Sequence, residues 1–211
     1  MWTPHPKTPP DWSRAQTHLA AADPVMRLLI AQVGPCLHAP LGVFPRSAFP
    51  TLCKSIFSQQ ISTAAAASIL ARFRTLFPHR RPTPALVLKL TDTQLRSVGL
   101  SRQKVAYLRD LAQHFVDGRL PLQKFPTMTD DQIIAALTAV HGIGVWTAEM
   151  FLMFVLVRPD IFPLGDLGIR RTMTSTYRLT DPKLSHLRKI AEPWRPYRTI
   201  ACWYLWQSTE A

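Results

Sequence analysis

VHGIGVWTAEMFLMFVLVRPDIFPLGDLGIRR, Val140 to Arg171, is the stretch on which the reading of this 211-residue chain turns. Its first part is helix, Gly142-Ile143-Gly144, helix. Upstream, Thr129 with Gln132 three residues on forms a capping-box pattern, and Ile133, Ile134, Leu137 and Val140 recur at helical spacing. Downstream, a helix is predicted from Trp146 to about Val157. Glycines one residue apart permit positive φ and remove side chains, so a phosphate can reach the backbone. The unpaired N–H groups at the start of the second helix, and its dipole, favour an anion at the same place. Ile143 can anchor the turn in the core. Gly142, Ile143, Gly144 and Val145 therefore read as a sequence-independent phosphate clamp, or as an ordinary tight turn. Gly-rich nucleotide loops usually follow a strand, and none precedes this one. The second part is a loop bounded by Pro159 and Pro163 that ends at Asp166. Before Leu167-Gly168-Ile169-Arg170, an Asp reads first as a helix N-cap.

Outward from this stretch the pattern is helical throughout, with no sustained polar–apolar alternation. Helices are predicted over Asp11 to Ala22 and over Pro24 to Val33, the second started by Asp23-Pro24 and stopped by Gly34-Pro35. Phe49 to Phe77 reads as mostly helical, with the small residues Ala64 to Ala67 permitting close packing. Leu86 to Val98 carries a short helix ended by Gly99. Ser101 then caps a helix whose apolar face is Val105, Leu108, Leu111 and Phe115. Pro121 to Pro126 is a loop. The last helices run over about Leu167 to Tyr177, Pro182 to Ala191 and Pro196 to Gln207.

Composition bounds the partners. The formal net charge is +12, which favours a polyanion, although a basic ribosomal or membrane-surface protein shares that number. Hydrophobic residues make up 47%, enough for a packed core. Cys36, Cys53 and Cys202 are scattered and form no CxxC pair, so neither a disulfide framework nor a zinc motif is visible. The N-terminus has no long apolar stretch and no signal peptide. The most apolar run, Met150 to Val157, is far short of the roughly 20 residues of a membrane span.

Val140 to Arg171 resembles the helix–hairpin–helix and Gly/Pro-rich loop plus aspartate of the base-excision (HhH-GPD) DNA glycosylase superfamily. SIFSQQISTAAAASI (Ser55 to Ile69), GLSRQKVAYLRDLA (Gly99 to Ala112) and EPWRPYRTIACWYLW (Glu192 to Trp206) extend the resemblance to the alkylpurine branch, the 3-methyladenine DNA glycosylase II type. The resemblance implies an all-α, two-lobed helical fold with the active-site cleft between the lobes. Residues 1–10 would be a flexible Pro-rich arm. Residues 11–48 plus 160–211 would form a terminal lobe, and 49–159 a central lobe carrying the helix–hairpin–helix over about 129–157. Some members carry an additional N-terminal α/β domain. The segment before Ser55 is too short for one, so a compact form is expected.

The resemblance places the catalytic carboxylate at Asp166, where capping and catalysis can coexist. As a base departs, the sugar becomes oxocarbenium-like, and a nearby carboxylate stabilises that charge and orients water. Trp146 stands where the lyase-active relatives carry a Schiff-base lysine, which implies a monofunctional, water-using enzyme. Its indole either stacks on an electron-poor base or is core. Trp206 matches a second pocket tryptophan, with core packing the alternative. Met150 and Leu167 stand where some members have aromatics, so this side of the base pocket is less aromatic. Gln60 matches the side chain that fills the gap left by an extruded nucleotide. Gln59 and Gln60 are thus the wedge candidates, or simply solvent-exposed residues at a helix start. Lys104, Arg170, Arg171 and Arg198 are candidate phosphate contacts, or simply solvated surface charges. Glu149 is a lone acid on an apolar helix, read as a buried, paired group.

No cofactor is needed for this chemistry. The family can hold a sodium or potassium ion through hairpin carbonyls, here those of about Thr138, Val140 and Ile143. An iron–sulfur cluster needs four cysteines, and this chain has three. The expected partner is double-stranded DNA containing damaged bases, bound by a monomer. The expected place is the cytoplasmic nucleoid of a bacterium or the nucleus of a eukaryote, without secretion or membrane insertion. The leading expectation is excision of 3-methyladenine and related alkylated bases. A non-catalytic helix–hairpin–helix DNA-binding module, and the same fold with oxidised-base or mismatched-adenine specificity, are the alternatives.

Overall fold

The computed structural model describes residues 12–36 and 48–208. The Pro-rich arm therefore lies outside the described residues. Among those described, the chain forms α-helices and short 3₁₀ turns and no strand. No helix among them is long and apolar enough to cross a membrane. The chain divides into two compact units, described residues 48–148 and described residues 12–36 with 149–208.

The first unit holds α3 (Ala48–Ser58), α4 (Thr63–Thr75), α5 (Pro84–Lys89), α6 (Asp92–Ser97), α7 (Arg102–Val116) and α8 (Asp130–Thr138), plus the start of α9 (Val145–Phe154). The expected helix from Phe49 to Phe77 is interrupted at 59–62, where Gln60 takes φ 57° and Ser62 caps α4 by accepting the Ala65 N–H at 3.3 Å. The helix expected from Leu86 to Val98 is likewise two. Thr91 and Gln94 form a full capping box that starts α6. The α7 helix packs on α3, α5 and α6, and buries Val105, Leu108 and Leu111. Phe115 is only half-buried, edge-on to Phe49 at 5.2 Å, and His114 takes the buried place. Phe57, Phe73 and Phe77 add edge-to-face pairs at 5.0 and 4.9 Å.

The second unit holds α1 (Trp12–Ala22), α2 (Pro24–Val33), α10 (Leu167–Thr176), α11 (Leu184–Ala191) and α12 (Arg198–Gln207). The α12 helix packs on α1, α2 and α10. Asp23 caps α2, as its position before Pro24 implies, and also accepts from Tyr177 and Trp194. The partition of the chain falls between residues 148 and 149, inside α9, rather than at the expected 159/160. This helix is apolar along most of its length and buries Ala148, Leu152 and Met153. It ends at Phe154, short of Val157, because Val157 adopts φ 52° and Arg158 N–H turns back to the Leu152 carbonyl at 2.9 Å.

Candidate active site

In the first unit the hairpin between α8 and α9 is built on one bend. Gly142 has φ 84°, and a Cβ there would stand 2.2 Å from the Tyr107 ring, so both the dihedral and the close approach demand glycine. Gly144 differs: its φ is not positive, and a Cβ there would meet nothing within 4 Å. Among the described residues nothing requires a glycine at 144, which leaves open backbone at the helix start. Ile143 is buried at 4% exposure and anchors the turn. Val145 and Trp146 begin α9 at 54% and 49% exposure, so Trp146 is not a core residue.

One of the sequence candidates, Gln59, is held against this hairpin from elsewhere in the same unit, and a second, Lys104, holds Gln59. The Gln59 side-chain amide donates to the Gly142 carbonyl at 2.7 Å. That commits Gln59 to the hairpin and leaves Gln60, exposed in the left-handed region, as the projecting wedge candidate. Its neighbour Ile61 is 38% exposed, an apolar tip residue the sequence did not single out. Lys104 donates to the carbonyls of Phe57 and Gln59 at 2.7 and 2.8 Å and thereby closes the end of α3. It is thus a cap on the end of α3, with one ammonium proton left over, and burial pushes its pKa down.

In the second unit the loop before Asp166 is pinned by α12. Thr199, buried, donates to the Arg158 carbonyl at 2.6 Å and accepts the Ile161 N–H at 3.0 Å. Arg198 clasps Asp160 at 2.6 and 3.0 Å, an ion pair that takes it out of the candidate phosphate contacts. Asp166 then caps α10, its Oδ1 accepting from Ile169 N–H at 2.8 Å and from the Trp206 indole N–H at 3.3 Å. Gly168 lies close beneath this pair: a Cβ there would stand 3.1 Å from Asp166 Oδ1, pressing the carboxylate by a few tenths of an ångström, and 3.5 Å from Trp206 Nε1. Trp206 also stacks on Phe154 at 5.8 Å. Leu167 is 59% exposed, and Arg170, Arg171 and Arg178 line a groove of about 560 Å³ beside it.

Glu149 lies half-buried in the same unit. Burial first, and the charge of Asp166 second, push its carboxyl up to about 7. A folded-state value above the ordinary one means the folded chain holds a proton that the unfolded chain has released between pH 4.5 and about 7. Stability is full below that window and falls as pH rises through it. Glu149→Gln is therefore expected to gain about 1–2 kcal/mol on the parent between pH 5 and pH 8, a range discounted for partial solvent screening. Urea midpoints across pH check this, and a gap that does not widen with pH removes the coupling.

Residues 53–196 match the model of the HhH-GPD superfamily of base excision DNA repair proteins. The chain belongs to this superfamily. Among HhH-GPD relatives, the Alkylbase DNA glycosidase-like protein mag2 of Schizosaccharomyces pombe is 31% identical, with 93% of each chain covered. The S. pombe 3-methyladenine DNA glycosylase Mag1, solved in complex with abasic DNA, superposes with TM-score 0.82 at 30% identity over 94% of this chain and 97% of that one. A Bacillus halodurans DNA-3-methyladenine glycosidase superposes with TM-score 0.84 at 33% identity over 92% and 88%.

Proposed function

We propose that this chain is a monofunctional DNA glycosylase that flips alkylated purines, 3-methyladenine and its kin, from duplex DNA and hydrolyses their N-glycosidic bond. The observation that carries the reading is the Asp166 carboxylate, fixed by the start of α10 and by the Trp206 indole, in a chain whose near-full-length relatives bear the name of this activity. Asp166 stabilises the sugar cation and directs water to it. An alkylated purine is already cationic and leaves neutral, so one carboxylate suffices. Trp146, in the place of a Schiff-base lysine, keeps the reaction hydrolytic and offers its half-exposed indole to the electron-poor base. Trp206, Met150 and Leu167 are the further pocket residues of this reading, and Phe154 joins them.

The open backbone at Gly144 and the first N–H groups of α9 take a DNA phosphate. The carbonyls of Thr138, Val140 and Ile143 are hard oxygen donors of the kind an alkali ion accepts. The Val140 carbonyl already receives the Ile143 N–H at 3.1 Å and keeps a second lone pair. These three would hold a sodium or potassium ion that ties the phosphate to the hairpin. The protein works as a monomer on damaged duplex DNA, in the nucleoid or nucleus.

The test is free-base release from duplex DNA methylated at mixed positions, with the released bases resolved by chromatography. Release of 3-methyladenine is expected. No release of any alkylated base would leave a DNA clamp without chemistry.

A further inference from the structure

Three residues on successive turns of α7 hold the hairpin and the Gln60 turn together. Lys104 donates two of its three ammonium protons to the last carbonyls of α3 and its turn, those of Phe57 and Gln59. Tyr107 lies under Gly142 so closely that no side chain fits there. Asp110 accepts the His141 N–H at 2.8 Å. His114 buttresses Asp110 in turn: its Nε2 faces the Arg119 guanidinium at 3.1 Å and must accept, so Nδ1 carries the proton toward the Asp110 carbonyl at 2.9 Å. Gln59 completes the circuit, its carbonyl on Lys104 and its amide on the Gly142 carbonyl. The residue after it, Gln60, is held at φ 57°, an arrangement that persists only where the surroundings over-determine it.

We infer that Lys104, acting through Gln59, is a positioning residue that fixes the Gln60–Ile61 tip to the hairpin, so that phosphate capture and entry of the tip into the duplex are one coupled event. The inference rests on the reading above, in which the hairpin takes a phosphate and the tip fills the vacated stack. Lys104 touches neither DNA nor base in this scheme. Its loss leaves two carbonyls at the end of α3 without their charged donor and frees the Gln59 backbone, while Tyr107 and Asp110 still support the hairpin.

The probe is a duplex holding an abasic-site analogue flanked by 2-aminopurine, whose fluorescence rises when its neighbour is unstacked. Affinity for an undamaged duplex reports the hairpin alone. With Lys104→Met the fluorescence rise at saturating protein is expected to fall about tenfold, with undamaged-duplex affinity within about twofold of the parent. Gln59→Leu lowers the fluorescence rise to the same degree, Lys104→Arg restores most of the signal, and the double variant is no worse than the worse single one. Thermal melts identify a variant that fails to fold, in which case Gln59→Leu and Lys104→Arg carry the test. A full signal in Lys104→Met, or a signal lost only in step with undamaged-duplex affinity, overturns the inference. The Gln60→Ala/Ile61→Ala double variant separates the layers: an unchanged signal there removes the tip and the inference with it. A parent protein that unstacks the probe but releases no base leaves the inference standing and removes the glycosylase reading.

Discussion

Replacing Asp166 by Asn is expected to slow single-turnover base release by about 10²–10³-fold, the loss seen when one preorganised electrostatic partner of a transition state is removed. Duplex binding should stay within about twofold of the parent. The substitution is informative because it leaves the local architecture in place. Asn caps helices as well as Asp, and its oxygen can still accept from the Ile169 N–H and the Trp206 indole. What disappears is the charge that a sugar cation would face. Base release at the parental rate would assign the chemistry to another group. A fall in melting temperature matched by a fall in DNA affinity would make Asp166 a capping residue only.

Asp23→Ala is expected to destabilise the second unit by about 3–5 kcal/mol, read from urea unfolding. The residue is only 7% exposed, and its carboxylate accepts four hydrogen bonds: Val25 and Met26 N–H at 2.8 and 3.3 Å, Tyr177 hydroxyl at 2.6 Å and Trp194 indole at 2.8 Å. The alanine loses a helix cap and strands two aromatic donors, one of them on the fully buried Trp194. Burial, then the bond to Asp23 and its charge, also push the Tyr177 hydroxyl pKa up, so that hydroxyl stays a donor. Asp23→Asn keeps one acceptor and should recover part of the loss. A change below about 1 kcal/mol would mean that water replaces the carboxylate without penalty.

The features legible in the sequence are those whose cause is local. Asp166 and Asp23 announce their helices because a cap acts within three residues. The bend at Gly142 shows because glycine next to a capped helix is a local signal, yet the reason for it, the Tyr107 ring, lies 35 residues earlier in the chain. The second duty of Asp23 needs Tyr177 and Trp194, 154 and 171 positions away. Lys104 reads as one more surface charge until its two carbonyl partners, 47 and 45 residues back, are known. Gly168 looks like an arbitrary first-turn residue until the Trp206 indole closes on Asp166. The Thr91–Gln94 box was local and present, and the apolar run around it concealed the break between α5 and α6. The perturbation of Glu149 depends on burial and on a neighbouring charge, neither of which spacing encodes.

The left-handed backbone at Gln60, with the preceding side chain tied down, means that the entropy of ordering this corner is lost when the chain folds and not when it meets a duplex. In the proposed reading, where this corner enters the duplex, a stiff point does not adapt to what it probes. Selectivity would then shift toward the mechanical softness of the nucleic acid, and a pair already loosened by a lesion would yield before an intact one.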